Sequence, residues 1–278
     1  MIGARRQVVQ QLGLHAVLIV FALGFFFPFF WMLSSSLKPA AEIFRPGIHL
    51  FPDALTLENY LMALTQAPIA RFLLNGVIVC GGILLGQLLV IVPAGFAFAR
   101  LTFPGRDLLF ALALASLAIP GYLTSIPNFL LLADLQLLNS YGALIFPFWG
   151  SAFGIFLMRQ FFKQLPGEVL DAARIDGCNT VQLIWYVLLP LTRPALAAFA
   201  VFSIVAHWND LFWPTITVSQ PELYTPPAGI AYFTNAESGS DWGAIMAAAT
   251  IIVTPLAVVF VAARKQFIQS LAYSAVKG

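Results

Sequence analysis

Charge is what this sequence has least of. Asp, Glu, Lys and Arg make up 9% of its 278 residues, where a soluble domain carries about one quarter. So few charges cannot clothe a water-facing surface. With 60% hydrophobic residues, the fitting solvent is lipid. Cysteine is scarce as well. Cys80 lies in an apolar stretch and Cys178 in a polar loop, which points to two free thiols and not to a disulfide framework. Net charge is +2 and there is no basic stripe, so a nucleic-acid partner is excluded. The sequence has no GxxxxGK[ST] phosphate loop, no HExxH and no zinc-spaced Cys/His cluster. The chain is therefore expected to bind no cofactor or metal, and any ATP must be held by a partner.

What is present is a series of long apolar runs. A spanning helix needs about 20 apolar residues, and six candidates occur, at 12–37, 72–98, 108–130, 141–158, 194–216 and 243–263. Gln7 to Leu37 contains no Asp, Glu, Lys or Arg. That is too long for a signal-peptide core, so a retained first span is expected. These runs predict an all-α, polytopic membrane protein of about six transmembrane helices, with residues 1–278 forming one transmembrane domain. Gly82 and Gly86 form a small-xxx-small pair suited to close helix packing. With the N-terminus inside, the inner segments hold Arg5, Arg6, Arg100, Arg106, Arg159, Lys163, Arg174, Arg193, Arg264, Lys265 and Lys277. The outer segments hold Lys38, Arg45 and Arg71. This distribution places both termini in the cytoplasm.

The longest inner loop, about 163–190, is more structured than a linker. Pro166 suits a helix start, and Glu168 and Asp171 favour its dipole. Gly177 is expected to end this helix in a left-handed turn, with Asn179 and Gln182 then forming a capping box. Val181, Ile184, Trp185 and Leu188 predict one apolar face of a second helix, and Pro190 closes the unit. Physics alone leaves two options, a docking element or a surface hairpin that only connects two spans.

The stretch Asp171-Ala172-Ala173-Arg174-Ile175-Asp176-Gly177, followed by Leu189-Pro190, resembles the EAA loop of ABC-importer permeases, with Asp171 where that family usually has Glu. Further pieces are similar to the carbohydrate-type permeases in order and spacing. They are Ser36-Leu37-Lys38-Pro39 with Glu42-Ile43-Phe44, Phe98-Ala99-Arg100-Leu101 with Phe103-Pro104-Gly105-Arg106, Trp208-Asn209-Asp210 with Trp213-Pro214, and the tail Val276-Lys277-Gly278. The likeness is to the maltose and glycerol-3-phosphate type, as the smaller of two permease subunits. It implies a type I ABC-importer permease fold in a bacterial cytoplasmic (inner) membrane, with membrane lipid around it. It implies as partners a second permease, forming a heterodimer, two ATPase subunits that bind ATP, and an extracytoplasmic solute-binding protein. It also implies that Glu168, Asp171, Ala172, Ala173, Asp176, Gly177 and Pro190 couple to the ATPase.

Ionisable residues at membrane depth are pathway candidates. Asn209 and Asp210, beside His207, interrupt the fifth run, and Asp210 lies about 24 Å along a helix begun at Pro194. It is read as a pathway or outer-gate residue, with an interfacial anchor between Trp208 and Trp213 as the alternative. Asn75, Gln87 and Asn128 either line the path or bond neighbouring helices. Two other functions are weighed. An intramembrane enzyme would have to use Ser203 and His207, and no third orienting group is evident. A self-sufficient secondary transporter or channel is expected to show internal repeats or a charge ring, and neither is seen. On the charge distribution, a reporter active only outside the cytoplasm, fused after Gly278, is expected to be silent; strong activity there would reverse the topology.

Overall fold

The computed structural model describes residues 2–233 and 241–275, and the side chains of 10–231, 233 and 241–261. The side chains of Arg5, Arg6, Arg264 and Lys265, and the whole of Lys277 and Gly278, lie outside the described residues. The described residues are mainly helical, with no strand among them. In order it forms α1 (Ile2–Ser36), α2 (Glu58–Gln66), α3 (Ile69–Arg100), α4 (Arg106–Ala115), α5 (Gly121–Asp134), α6 (Tyr141–Ile145), α7 (Ala152–Gln164), α8 (Gly167–Ile175), α9 (Thr180–Leu191), α10 (Arg193–Trp208), α11 (Phe212–Thr217) and α12 (Trp242–Ala275), besides single turns.

Among the described residues, three helices are long and apolar enough to cross a membrane unbroken: α1 over Gln10–Ser36, α3, and α12 over Trp242–Val261. Three bent pairs bring the number of spans to six if each pair counts as one. Here the expected runs need correction. The third is not one helix from 108 to 130, because the chain turns by 101° between Ala118 and Gly121. Pro120 has no N–H to continue the ladder, and Ile119 before it is extended (φ −85°, ψ 117°). The fourth bends by 46° between Phe148 and Ala152, where Ser151 starts a new helix by accepting the N–H of Gly154 at 3.1 Å. The fifth ends at Trp208 and resumes at Phe212. Asp210 therefore sits in a break, and a depth reckoned along one continuous helix does not apply to it.

The chain divides into two compact units. In the first, Met1–Ile69 with Ile230–Val253, α1 is exposed on every side over residues 10–29, with Phe25 76% accessible. An all-round apolar helix of this kind is stable only in lipid. Its end is tied down by polar groups. Buried Asn59 donates to the carbonyls of Ser36 (2.9 Å) and Lys38 (2.8 Å). Lys38, also buried, donates Nζ to the carbonyl of His49 at 2.5 Å and lies over the Trp31 ring.

The second unit is Ala70–Gly229 with Thr254–Gly278. Its main core joins Ile91, Val92 and Phe96 of α3 to Met158 and Phe162 of α7, Leu170 and Ala173 of α8, Leu183, Ile184 and Leu188 of α9, and Phe199 of α10. A second cluster gathers Val79 and Ile83 of α3 with Leu132, Leu144, Trp213 and Val218. Between them α3 presents Gly82 and Gly86, where a side chain would strike Ile145 and Trp149. The small pair is a packing device, as its spacing suggests. Gly81, next door, faces open space. Gly86→Val is expected to cost about 1–3 kcal/mol by overpacking and to lower the thermal midpoint of the detergent-purified chain, while Gly81→Val leaves it unchanged. Equal midpoints for the two variants would mean that the close approach at Trp149 does not matter.

Candidate functional site

The loop between α7 and α10 is built from rooted and free faces. Arg100, at the end of α3, donates to the carbonyl of Phe162 from Nε (3.0 Å) and Nη2 (2.6 Å), and to that of Leu165. Arg159 reaches the other way, to the carbonyl of Phe98 at 3.2 Å, with its guanidinium 4.0 Å from the centre of the Phe110 ring. These bonds satisfy helix-end carbonyls that would otherwise lack partners and fix where α8 begins. Leu170 and Ala173 then turn into the core. Glu168, Asp171, Ala172, Ile175, Asp176 and Gly177 face outward. Ala173 is small because it packs against its own chain. Asp171 and Arg174 form an exposed pair at 3.5 Å, too open to add much stability.

The turn follows the expected chemistry. Gly177 has φ +86°. Its N–H bonds to the carbonyl of Arg174 and that of Cys178 to the carbonyl of Ala173, both at 3.0 Å, which is the Schellman arrangement. Cys178, the next residue, packs on the core and is a free thiol, as is Cys80. Asn179 accepts from the N–H of Gln182 (2.9 Å), and Gln182 Oε1 accepts from the N–H of Asn179 (3.0 Å). The capping box is complete.

The second helix departs from expectation. Leu183–Leu188 is a π-helix, whose wider i→i+5 turn buries Leu183, Ile184 and Leu188 and leaves Val181 and Trp185 exposed. The reading of Val181, Ile184, Trp185 and Leu188 as one face assumed 3.6 residues per turn. The wide turn accommodates Pro190, whose ring would collide with the carbonyl of Tyr186 in an ideal α-helix. Nor does Pro190 close the unit: the helix runs to Leu191 and bends by 81° at buried Thr192. There the Thr192 N–H is shared between the carbonyls of Leu188 and Leu189, both at 3.1 Å. Its hydroxyl bonds to the same two carbonyls.

The polar residues at membrane depth divide sharply. Asn75 is fully buried and its amide is spent. It donates to the carbonyls of Glu222 (2.8 Å) and Tyr224 (2.9 Å) and accepts from the Tyr141 hydroxyl (2.6 Å). Gln87 is likewise buried. Its Nε2 donates to the carbonyl of Phe148 at 3.0 Å and lies 3.5 Å from His207 Nε2, while its Oε1 accepts from Ser203 at 2.6 Å. Both residues tie helices together. Ser203 is committed to Gln87, so no Ser203–His207 nucleophile forms. Asn128 and Asp210, by contrast, line one cavity of about 330 Å³. Asp210 is half-buried and accepts the N–H of Trp213 at 3.2 Å. Asn209 is exposed and bonds back to the carbonyl of Val205.

The sequence profile of the family described as "Binding-protein-dependent transport system inner membrane component" matches residues 91–273, which takes in both the loop and the break at Asp210. The chain belongs to this family. This permease is 33% identical over 255 residues to the arabinooligosaccharides transport system permease protein of Halalkalibacterium halodurans, with 91% of each chain covered. It is 34% identical to the diacetylchitobiose uptake system permease protein of Streptomyces coelicolor, over 88% of this chain and 82% of that one. It is 30% identical to the sn-glycerol-3-phosphate transport system permease protein of Yersinia pestis, over 92% and 94%. A solved bacterial ABC transporter involved in the import of the acidic polysaccharide alginate has the same fold, with a TM-score of 0.84, 24% identity and coverage of 94% and 97%. These relatives are transport permeases, not enzymes.

Residues that pattern reading missed stand out in the structure of the permease. Ile175 is 86% accessible and Tyr186 76%, apolar side chains left free on the loop. Their signal was faint: Ile175 directly precedes the turn, and Tyr186 falls off the buried face only once the π-turn is known. Gln87→Leu would leave the Phe148 carbonyl and Ser203 hydroxyl without partners, at about 1–3 kcal/mol each. Thermal unfolding of the purified permease should show that loss, and adding Ser203→Ala should recover part of it. Additive losses in the double variant would show that the two side chains act independently.

Proposed function

We infer that this permease forms the membrane pathway of an ATP-driven importer for a sugar or a related polyol or glycerol-phosphate, and couples that pathway to a separate ATPase through the loop at 163–190. The observation that carries this is the division of the loop. Leu170, Ala173, Leu183 and Leu188 root it in the core, while Glu168, Asp171, Ala172, Ile175 and Asp176 face outward around a glycine turn closed by two backbone hydrogen bonds. A simple connector needs no such rooting, and a docking element does. The relatives are named for arabinooligosaccharides, diacetylchitobiose and sn-glycerol 3-phosphate, which supports the solute class. On this reading ATP and its chemistry belong to two partner ATPase subunits. A second permease completes a heterodimer, and an extracytoplasmic binding protein delivers solute. Both termini, and the loop, face the cytoplasm of the bacterial cell whose inner membrane holds the complex.

Gly177 offers a clean test, because a side chain there meets nothing within 4 Å. The cost of Gly177→Val is only backbone strain, about 1 kcal/mol or more. Insertion and folding are expected to survive, while ATPase co-purification or solute-stimulated hydrolysis falls. Ile175→Asp, at a side chain in open solvent, should do the same without any strain. Normal attachment together with normal stimulated hydrolysis in both variants would reduce the loop to a connector.

A further inference from the structure

We propose that this chain itself holds a subsite for one neutral, polyhydroxylated ring of the transported solute, in the cavity walled by Tyr122, Asn128, Phe148, Asp210 and Trp213. The inference rests on the reading of the chain as an importer permease for sugar-like solutes. It adds where in this chain the solute is held and which charge class is refused.

The cavity lies inside the second unit and measures about 330 Å³, at the small end of the about 300–1,000 Å³ typical of small-molecule sites. Four aromatic rings line it. Tyr122 meets Phe212 edge-on with centroids 4.8 Å apart, and Phe148 meets Trp213 edge-on at 6.0 Å. A pyranose or furanose presents C–H groups on its faces and hydroxyls on its rim. Aromatic rings suit the faces, and the rim needs acceptors and donors.

Those groups are present and uncommitted. Among the described residues, neither the Asn128 amide nor the Tyr122 hydroxyl has a hydrogen-bond partner. Asp210 accepts the backbone N–H groups of Trp213 and Phe212, and a carboxylate offers about four lone-pair sites. Ser125 and Thr124 donate to carbonyls of their own helix, at Tyr122 (2.6 Å) and Gly121 (2.8 Å), so their oxygens remain free to accept. Tyr122 is 70% accessible, so its hydroxyl is open to whatever enters the cavity, whereas Asn75 and Gln87 are buried with every polar atom used.

Charge sets the class of solute. Among the described residues, Asp210 is the one carboxylate in the lining, and no Lys, Arg or His lines the cavity. A phosphate or uronate entering would meet a carboxylate with no cation to compensate. A neutral ring meets only hydrogen-bond partners. Tyr122, Asp210 and Phe212 also wall a second cavity of about 590 Å³ that includes Asn209. The subsite therefore adjoins further open space and is not a sealed void.

The test uses the assembled transporter. ATP-dependent uptake by the complete system in proteoliposomes is measured for arabinotriose, diacetylchitobiose, maltotriose and sn-glycerol 3-phosphate. Binding to the purified complex without the binding protein is then read by saturation-transfer NMR with the same probes. A neutral saccharide is expected to be both transported and bound. Asn128→Ala and Tyr122→Ala should each weaken its binding about five- to tenfold. Asp210→Asn should retain the saccharide and admit its terminally carboxylated derivative, a change of selectivity that a merely structural role would not produce. Uptake of a neutral saccharide with binding and selectivity unchanged in all three variants would overturn the subsite alone, as would wild-type binding of sn-glycerol 3-phosphate as tight as that of any saccharide. No ATP-dependent uptake of any probe would overturn the importer reading and the subsite with it.

Discussion

Arg100 donates to the carbonyls of Phe162 and Leu165 while Arg159 reaches back to the carbonyl of Phe98, so the ends of α3 and α7 are bonded in both directions. A helix end leaves its last carbonyls without partners, and at the edge of an apolar layer an unpaired carbonyl is costly. A guanidinium carries five donors in a fixed fork and is more weakly hydrated than an ammonium, which suits it to the task. The packing of Phe96 on Phe162 follows from this clasp, as does the point at which α8 starts. The outward face of α8 is thus set by bonds made one helix away from it.

The same rule governs the broken spans. Each break frees backbone groups, and side chains near or far in sequence collect them. Gln87 serves the carbonyl of Phe148 beside the break in the fourth span. Asp210 takes the N–H of Trp213 where the fifth resumes. Thr192 serves two carbonyls at the sharpest bend of the loop. Polar residues at membrane depth therefore play two roles in this protein. Those with every atom paired hold the scaffold, and those with spare valence face open space.

Apolar runs and local turn chemistry were legible in the sequence because their causes lie within a few residues. Gly177 with Asn179 and Gln182 is the clearest case: the positive φ, the Schellman bonds and the capping box all appear where the residues imply. Asn75 and Gln87 could not be assigned from sequence, because their partners, Glu222 and Phe148, lie 147 and 61 positions away. The break at Pro120 was written in the residues but overridden by the continuity of hydropathy, since breaking residues can be buried without interrupting an apolar run. The π-turn failed for a different reason. A face deduced from a period is only as good as the period, and Pro190 changed it. Ala173, which the likeness to the EAA loop puts among the coupling residues, is buried in this chain's own core, a placement set by residues such as Phe96 and Phe162 that are distant in sequence.

The junction at Gly177 has a mechanical consequence. Four hydrogen bonds close it, two through the backbone and two through Asn179 and Gln182, and flexing it would strain all four together. Such an elbow has no slack, so α8 and the π-turn behave as one solid piece. Compliance then has to be found elsewhere along the loop. The next change of direction is at Thr192, whose N–H and hydroxyl both serve the carbonyls of Leu188 and Leu189 and where α9 bends by 81° into α10. A push on the exposed rim of α8 would therefore reach that bend through the elbow before it met any other change of direction.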